Sequence, residues 1–117
     1  MNGTIKERCD RMCAILDFHK GRDIAVVDLS GQTVVADCFI IAHGATVQQV
    51  KAMADYLDEE MAKTGLCPIR TEGYTDGRWV VLDYGDIIVH LFRKEEREYF
   101  SLERLWENGG NIVYYAK

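Results

Sequence analysis

The stretch RWVVLDYGDIIVHLF, Arg78 to Phe92, constrains this chain more than any other. Two runs rich in β-branched and aromatic residues, Trp79–Asp83 and Asp86–Phe92, flank Tyr84-Gly85. A glycine in a two-residue connection between such runs predicts a tight hairpin. Placing Tyr84 and Gly85 in the turn pairs Asp83 with Asp86, Leu82 with Ile87, Val81 with Ile88, Val80 with Val89 and Trp79 with His90. Side chains alternate between the faces of a sheet, so Val80, Leu82, Ile87, Val89 and Leu91 share one wholly apolar face. The other face carries Trp79, Val81, Asp83, Asp86, Ile88, His90 and Phe92, large apolar groups among ionisable ones. Charges buried without partners are costly, whereas an amphipathic face rimmed with charge suits a protein partner. A solvated sheet face with some aromatic cover fits these residues equally well.

The rest of the chain supplies the partners for this hairpin. Ile5, Cys9, Met12 and Leu16 recur at helical spacing, which predicts a helix over Thr4–His19 that stops at Gly21. DIAVVDL reads as a strand, Ser30-Gly31 as a turn and VVADCFIIAHG as a second extended segment. Thr46 is placed to cap a helix whose stripe is Val47, Val50, Ala54, Leu57 and Met61, ending at Gly65. CPIRTEG predicts a short strand, RKEEREYFSLERLWE a charged helical segment, and IVYYA a last strand after the Asn108–Asn111 break. The order α-β-β-α-β-β-β-α-β implies an α/β domain, one mixed sheet with helices on its faces, spanning residues 1–117.

Charge narrows the function. With 14 basic and 19 acidic side chains the net charge is −5, and no Lys/Arg cluster stands clear of acids. Phosphate neutralisation by Lys and Arg drives nucleic-acid binding, so direct binding of RNA or DNA is disfavoured and a basic protein partner is favoured. The charged N-terminus MNGTIKERCDRM has no apolar core of a signal peptide, and no apolar run is long enough to span a membrane. Cys9, Cys13, Cys38 and Cys67 form no CxxC pair. Cys9 and Cys13 lie four apart on a predicted helix, where buried thiols of a reducing cytoplasm are the expected reading over a shared metal.

No catalytic constellation emerges. HGAT, residues 43–46, joins a strand to a helix N-terminus where an anion could sit, but it lacks a P-loop lysine and the dinucleotide glycine pattern. A turn plus an N-cap is the simpler reading. Asp83 and Asp86 could be paired carboxylates holding Mg2+ for nucleotidyl transfer, yet here they close a turn, where Asp is common for local hydrogen-bonding reasons. His19, His43 and His90 are scattered, and Ser30 and Ser101 sit in a turn and at a predicted N-cap. In EEREYFSLERLWE an apolar stripe of Tyr99, Leu102, Leu105 and Trp106 predicts core closure by Leu102 and Leu105. Tyr99, Phe100 and Trp106 are candidates to extend a docking face.

DCFIIAHGAT, EGYTDGRWVVLDYGDIIVHLF and REYFSLERLW together resemble the motifs of the ribosomal silencing factor family, also called Iojap-related, in one register from about Asp23 to Trp106. The chain differs from the family pattern at His43, where a small or hydroxylic residue is commoner, and at Cys38, where an aromatic is. The resemblance implies a fold similar to the nucleotidyltransferase core without its catalytic carboxylates. It implies a non-enzymatic repressor without cofactor that binds the large ribosomal subunit through its universal protein fourteen. That protein is basic and lies at the intersubunit face, and occupying it blocks joining of the small subunit when nutrients are scarce. It also implies a cytoplasmic homodimer. The residues expected to meet the ribosomal protein are Trp79, Asp83, Tyr84, Asp86, Ile88, His90, Phe92 and Tyr99. The alternative is a Mg-dependent nucleotidyltransferase-like enzyme using Asp83 and Asp86.

Overall fold

A computed structural model describes residues 3–115. Helix α1 (Gly3–Phe18) leads into β1 (Arg22–Asp28) and β2 (Cys38–Gly44), followed by α2 (Val47–Ala62), β3 (Arg70–Glu72), β4 (Trp79–Asp83) and β5 (Ile87–Arg93). Two short helices, α3 (Lys94–Phe100) and α4 (Leu102–Trp106), precede β6 (Ile112–Tyr114). The six strands form one mixed sheet in the order β3-β4-β5-β2-β1-β6, in which β2 and β5 run parallel and every other pair antiparallel. This is the single sheet with flanking helices that the element order implies. No helix among the described residues is long and apolar enough to cross a membrane.

Burial follows the hydrophobic periods. In α1 the buried residues are Ile5, Cys9, Met12, Cys13 and Leu16, and in α2 they are Val50, Met53, Ala54, Leu57 and Met61. Both stripes pack on the sheet face formed by Ile40, Val80, Leu82, Ile87, Val89 and Leu91. Thr46 caps α2 as predicted, its hydroxyl oxygen accepting from the Gln49 amide at 3.1 Å. Every residue of β2 is buried, as a central strand paired in parallel and covered on both faces requires.

The hairpin register differs from the predicted one by two residues. Trp79 lies opposite Phe92, Val81 opposite His90 and Asp83 opposite Ile88. The turn residues are Gly85 and Asp86, with the Tyr84 amide donating to the Ile87 carbonyl at 2.9 Å. Gly85 has φ +90° while Asp86 does not have positive φ, so glycine takes the first central position of a type II′ turn. The predicted register would put Tyr84 there, in a left-handed conformation that a bulky side chain resists. A one-residue slip would have exchanged the two faces, but a two-residue slip preserves them. The set Val80, Leu82, Ile87, Val89, Leu91 therefore shares the α1/α2 face as expected.

Other expectations are corrected. Val34 and Val35 are exposed and lie outside β2, in the loop after β1. The single charged helix is two, broken at Ser101, which adopts φ 47° and ψ 50° and makes no side-chain capping bond to α4. Leu102 is buried, but Leu105 is 76 % exposed because the break turns it away from the sheet.

Candidate docking face

The face of the sheet opposite α1 and α2 is covered by α3 and α4, with Leu29 and Ala36 of the β1–β2 loop packed against it. Its inner layer is Val27, Phe39, Ile41, Ile88, Phe92 and Leu102, with Trp79, Val81 and Trp106 partly buried against it. Trp79 on β4 is the hinge between this layer and solvent. Its ring stacks on Phe92 with centroids 4.8 Å apart and meets Phe100 of α3 at 4.9 Å. Phe100 is 45 % exposed and Tyr99, in edge contact with it at 5.0 Å, is 82 % exposed. Trp79, Phe100 and Tyr99 thus form an aromatic ramp from the sheet outward.

Acids frame the ramp, together with two arginines they already hold. Asp76 accepts from Arg78 at 2.9 to 3.1 Å, and the Arg93 guanidinium donates both bonds of a fork to Glu96 at 2.7 Å. These six residues, Asp76, Arg78, Trp79, Glu96, Tyr99 and Phe100, line a shallow groove with Glu95. The bidentate geometry holds the Glu96 carboxyl below the usual carboxylate range and does the same for Asp76.

Beneath the ramp lies His90. The Trp79 indole N–H donates to His90 Nδ1 at 3.1 Å, which assigns the ring proton to Nε2. Nε2 is buried and has no hydrogen-bond partner among the described residues. Burial pushes the His90 pKa down to about 4, so the ring is neutral at pH 7. Such a group is a packing element with one polar tether, in edge contact with Phe39 at 4.6 Å.

A second polar device holds α3 and α4 down. Arg97 is buried; its Nε donates to Glu103 at 2.9 Å, and its Nη1 contacts the Arg22 carbonyl at 3.1 Å and His43 Nδ1 at 3.0 Å. The bond to a guanidinium requires His43 to accept through a neutral nitrogen. Burial first, and the Arg97 charge second, lower the His43 pKa accordingly. His43 therefore ties the β2 end to α3, a role invisible in HGAT alone.

The expected contact residues divide. Trp79 and Tyr99 belong to the ramp, with Phe92 and His90 directly under it, although Phe92 is fully buried and His90 nearly so. These two support the surface and do not form it. Ile88 is buried in the same layer, and Asp83, half-buried at the hairpin end, accepts from the Gly85 amide at 2.8 Å. Tyr84 is corrected outright: it lies in the core under α1 and α2 with a buried, unpartnered hydroxyl. Burial raises its phenol pKa. Asp86 turns to α1, where Arg8 engages both carboxylate oxygens and holds its pKa below the usual range. Asp83 instead lies 3.8 Å from Arg70 of β3, so the two acids serve different cations. No group of three or more His, Cys, Asp or Glu among the described residues is placed to hold a metal ion. Phe100 of α3 and Leu105 of α4 are exposed apolar residues outside the expected contact set. The aromatic content of EEREYFSLERLW signals Phe100, whereas nothing in the sequence signals the exposure of Leu105, since the Ser101 break that turns it outward has no sequence mark beyond a serine.

The family model described as "Ribosomal silencing factor during starvation" matches residues 3–115. Ribosomal silencing factor RsfS of Bacillus subtilis is 40 % identical over 93 residues, covering 80 % of this chain and 79 % of its own length. That of Zymomonas mobilis is 44 % identical over 95 residues, covering 80 % and 71 %. A mouse protein named "Mitochondrial assembly of ribosomal large subunit protein 1" is 31 % identical over 101 residues, covering 83 % of this chain and 44 % of that protein. A crystal structure from Bacillus halodurans superposes with TM-score 0.81 at 34 % identity, covering 92 % of this chain and 97 % of that one. One from Chromobacterium violaceum superposes with TM-score 0.85 at 29 % identity, covering 100 % and 95 %.

Proposed function

This chain belongs to the ribosomal silencing factor family, and from that membership we propose that it binds the large ribosomal subunit through its universal protein fourteen and blocks joining of the small subunit. The mode is steric: a bound protein whose footprint overlaps the opposing subunit needs residence time and no chemistry. The mouse relative's name, which refers to the large subunit, supports the choice of subunit. The factor acts in the cytoplasm, forms a homodimer and lowers translation when nutrients are scarce.

The observation that carries the docking face is the exposure of Tyr99 and Phe100 beside Trp79, within a frame of Asp76, Glu95 and Glu96. Solvent-exposed aromatics that bridge to a rigid layer are the residue types that anchor interfaces. The net charge of −5 opposes contact with ribosomal RNA phosphate, so attraction is confined to a basic protein surface, and repulsion elsewhere adds specificity. Asp83 contributes to the long-range field, which accelerates encounter more than it prolongs the complex.

Co-sedimentation with separated ribosomal subunits tests this reading. The protein should travel with large subunits and not with small subunits or joined ribosomes. Tyr99→Ala, at a site whose ring is mostly in solvent, should weaken binding to purified protein fourteen by at least about tenfold, on the order of 1.4 kcal/mol. Equal binding to both subunits would sink steric exclusion. Undiminished binding by Tyr99→Ala and Trp79→Ala alike would move the docking face elsewhere.

A further inference from the structure

Three cysteines of this chain are buried, and two of them meet. Cys9, on the inner stripe of α1, and Cys38, the first residue of β2, place their sulfur atoms 2.9 Å apart. A disulfide bond is about 2.05 Å long, so the two atoms lie within about an ångström of bonding distance. Cys13, one helical turn from Cys9 and equally buried, is packed in the same core cluster. Cys67 is exposed.

We propose that Cys9 and Cys38 are a thiol–disulfide site, closed reversibly by a peroxide into an intramolecular bond that clasps α1 to the central strand β2.

Access comes from a cleft between α1 and the β1–β6 edge, lined by Lys6, Cys9, Asp10, Val26, Asn111 and Val113 among others. Cys9 is its thiol, which sets the order of events. The Cys9 thiolate attacks one oxygen of the peroxide, the O–O bond breaks, and Cys9 becomes a sulfenic acid with release of water after protonation. The Cys38 sulfur then attacks the Cys9 sulfur, the S–O bond breaks and a second water leaves. Two thiols and one peroxide yield one disulfide and two waters, with the two electrons going from sulfur to oxygen. The two sulfurs share a hydrogen bond in which either can donate, and that bond holds the Cys9 pKa down and raises that of Cys38. Cys13, by contrast, is pushed up to about 12 by burial, which leaves it a poor competitor.

The bond would join positions 29 residues apart and close a loop containing β1 and most of α1, which restricts the unfolded chain. It lies under the α1/α2 face, away from Trp79, Tyr99 and Phe100, so the clasp stiffens the fold without touching the aromatic ramp.

The test uses the full chain carrying Cys67→Ser, which removes the exposed thiol and with it cross-linking between molecules. Reduced protein is treated with hydrogen peroxide and read by intact mass, by non-reduced peptide mapping and by urea unfolding. The expected result is loss of the mass of two hydrogen atoms, a linked peptide pair containing Cys9 and Cys38, reversal by dithiothreitol and a higher urea midpoint for the oxidised form. Cys38→Ser should instead leave an oxygen adduct trapped on Cys9. A link from Cys9 to Cys13 would overturn the assignment. So would adducts without a link in the Cys67→Ser chain, or a pair that reacts only after unfolding in urea.

Discussion

The two faces of the sheet are built to different standards. One is covered by two 16-residue helices, each with a five-residue buried stripe, and its core is almost entirely aliphatic and sulfur-containing. The other is covered by helices of 7 and 5 residues, too short to bury a full stripe, and its layer mixes aliphatic residues with Phe39, Phe92, Trp79 and Trp106, two neutral histidines and a buried arginine. Long helices remove apolar surface from water without needing polar tethers, and that burial is the main favourable term in folding. Short helices need specific bonds to stay in place, which is what Arg97, Glu103 and His43 supply. The thin cover also leaves aromatic rings at the surface. Stability therefore belongs mainly to the first face, and the second is the one we propose for recognition.

The largest effect that tests this division is truncation under the thick cover. Leu57→Ala, at a fully buried position of α2, should cost about 2 to 5 kcal/mol in urea unfolding while the folded fraction keeps its affinity for protein fourteen. A loss of affinity with stability intact would reverse the assignment of the faces.

Arg97→Met should cost about 2 to 4 kcal/mol at its own site, because Glu103 and the Arg22 carbonyl lose a buried charged donor. Its signature is local: hydrogen exchange should quicken in α3 and α4 before β2 and β5 open. Uniform acceleration through the whole sheet would mean that the thin cover is part of the global folding unit.

Acidification should act on the second face through its histidines. The folded pKa of His90 is about 4, below the unfolded value of about 6.5, so the unfolded chain binds more protons between them. The stability is fully present above about pH 6.5 and is lost as pH falls toward 4, on the order of 2 to 3 kcal/mol by pH 4.5 or so. His43 is shifted in the same direction and adds to the slope. His90→Gln should flatten this limb in urea titrations and leave the His43 part; an unchanged slope would remove His90 from the account. Ending near pH 4.5 keeps clear of Asp86, whose carboxyl Arg8 holds low.

The smallest stability effect is expected at the top of the ramp. Tyr99→Ala should stay within about 0.5 kcal/mol of the parent, since its ring is mostly solvated. Raising ionic strength should slow association with protein fourteen more than it speeds dissociation, because framing charges steer encounter. Salt-independent association would remove the acidic frame from the mechanism.

Which face the hairpin's strand residues occupy was legible in RWVVLDYGDIIVHLF, Tyr84 and Asp86 at the turn excepted, and so were the stripes of α1 and α2 and the Thr46 cap. These depend on period and on local hydrogen bonding, which neighbouring residues settle among themselves. The hairpin register was not, because it turns on whether Tyr84 or Gly85 takes the first turn position. That choice moved Trp79 from opposite His90 to opposite Phe92. The candidate site was legible in part: Trp79 and Tyr99 stand where a partner can reach them, whereas Tyr84 and Phe92 are sealed inside. Alternation assigns a side chain to a face but says nothing of what covers that face. Whether His43 meets Arg97, Asp86 meets Arg8 or Cys9 meets Cys38 was decided only by the tertiary structure. Each pair joins residues far apart in the chain, and their approach depends on how helices pack across a sheet, a geometry that no local pattern encodes.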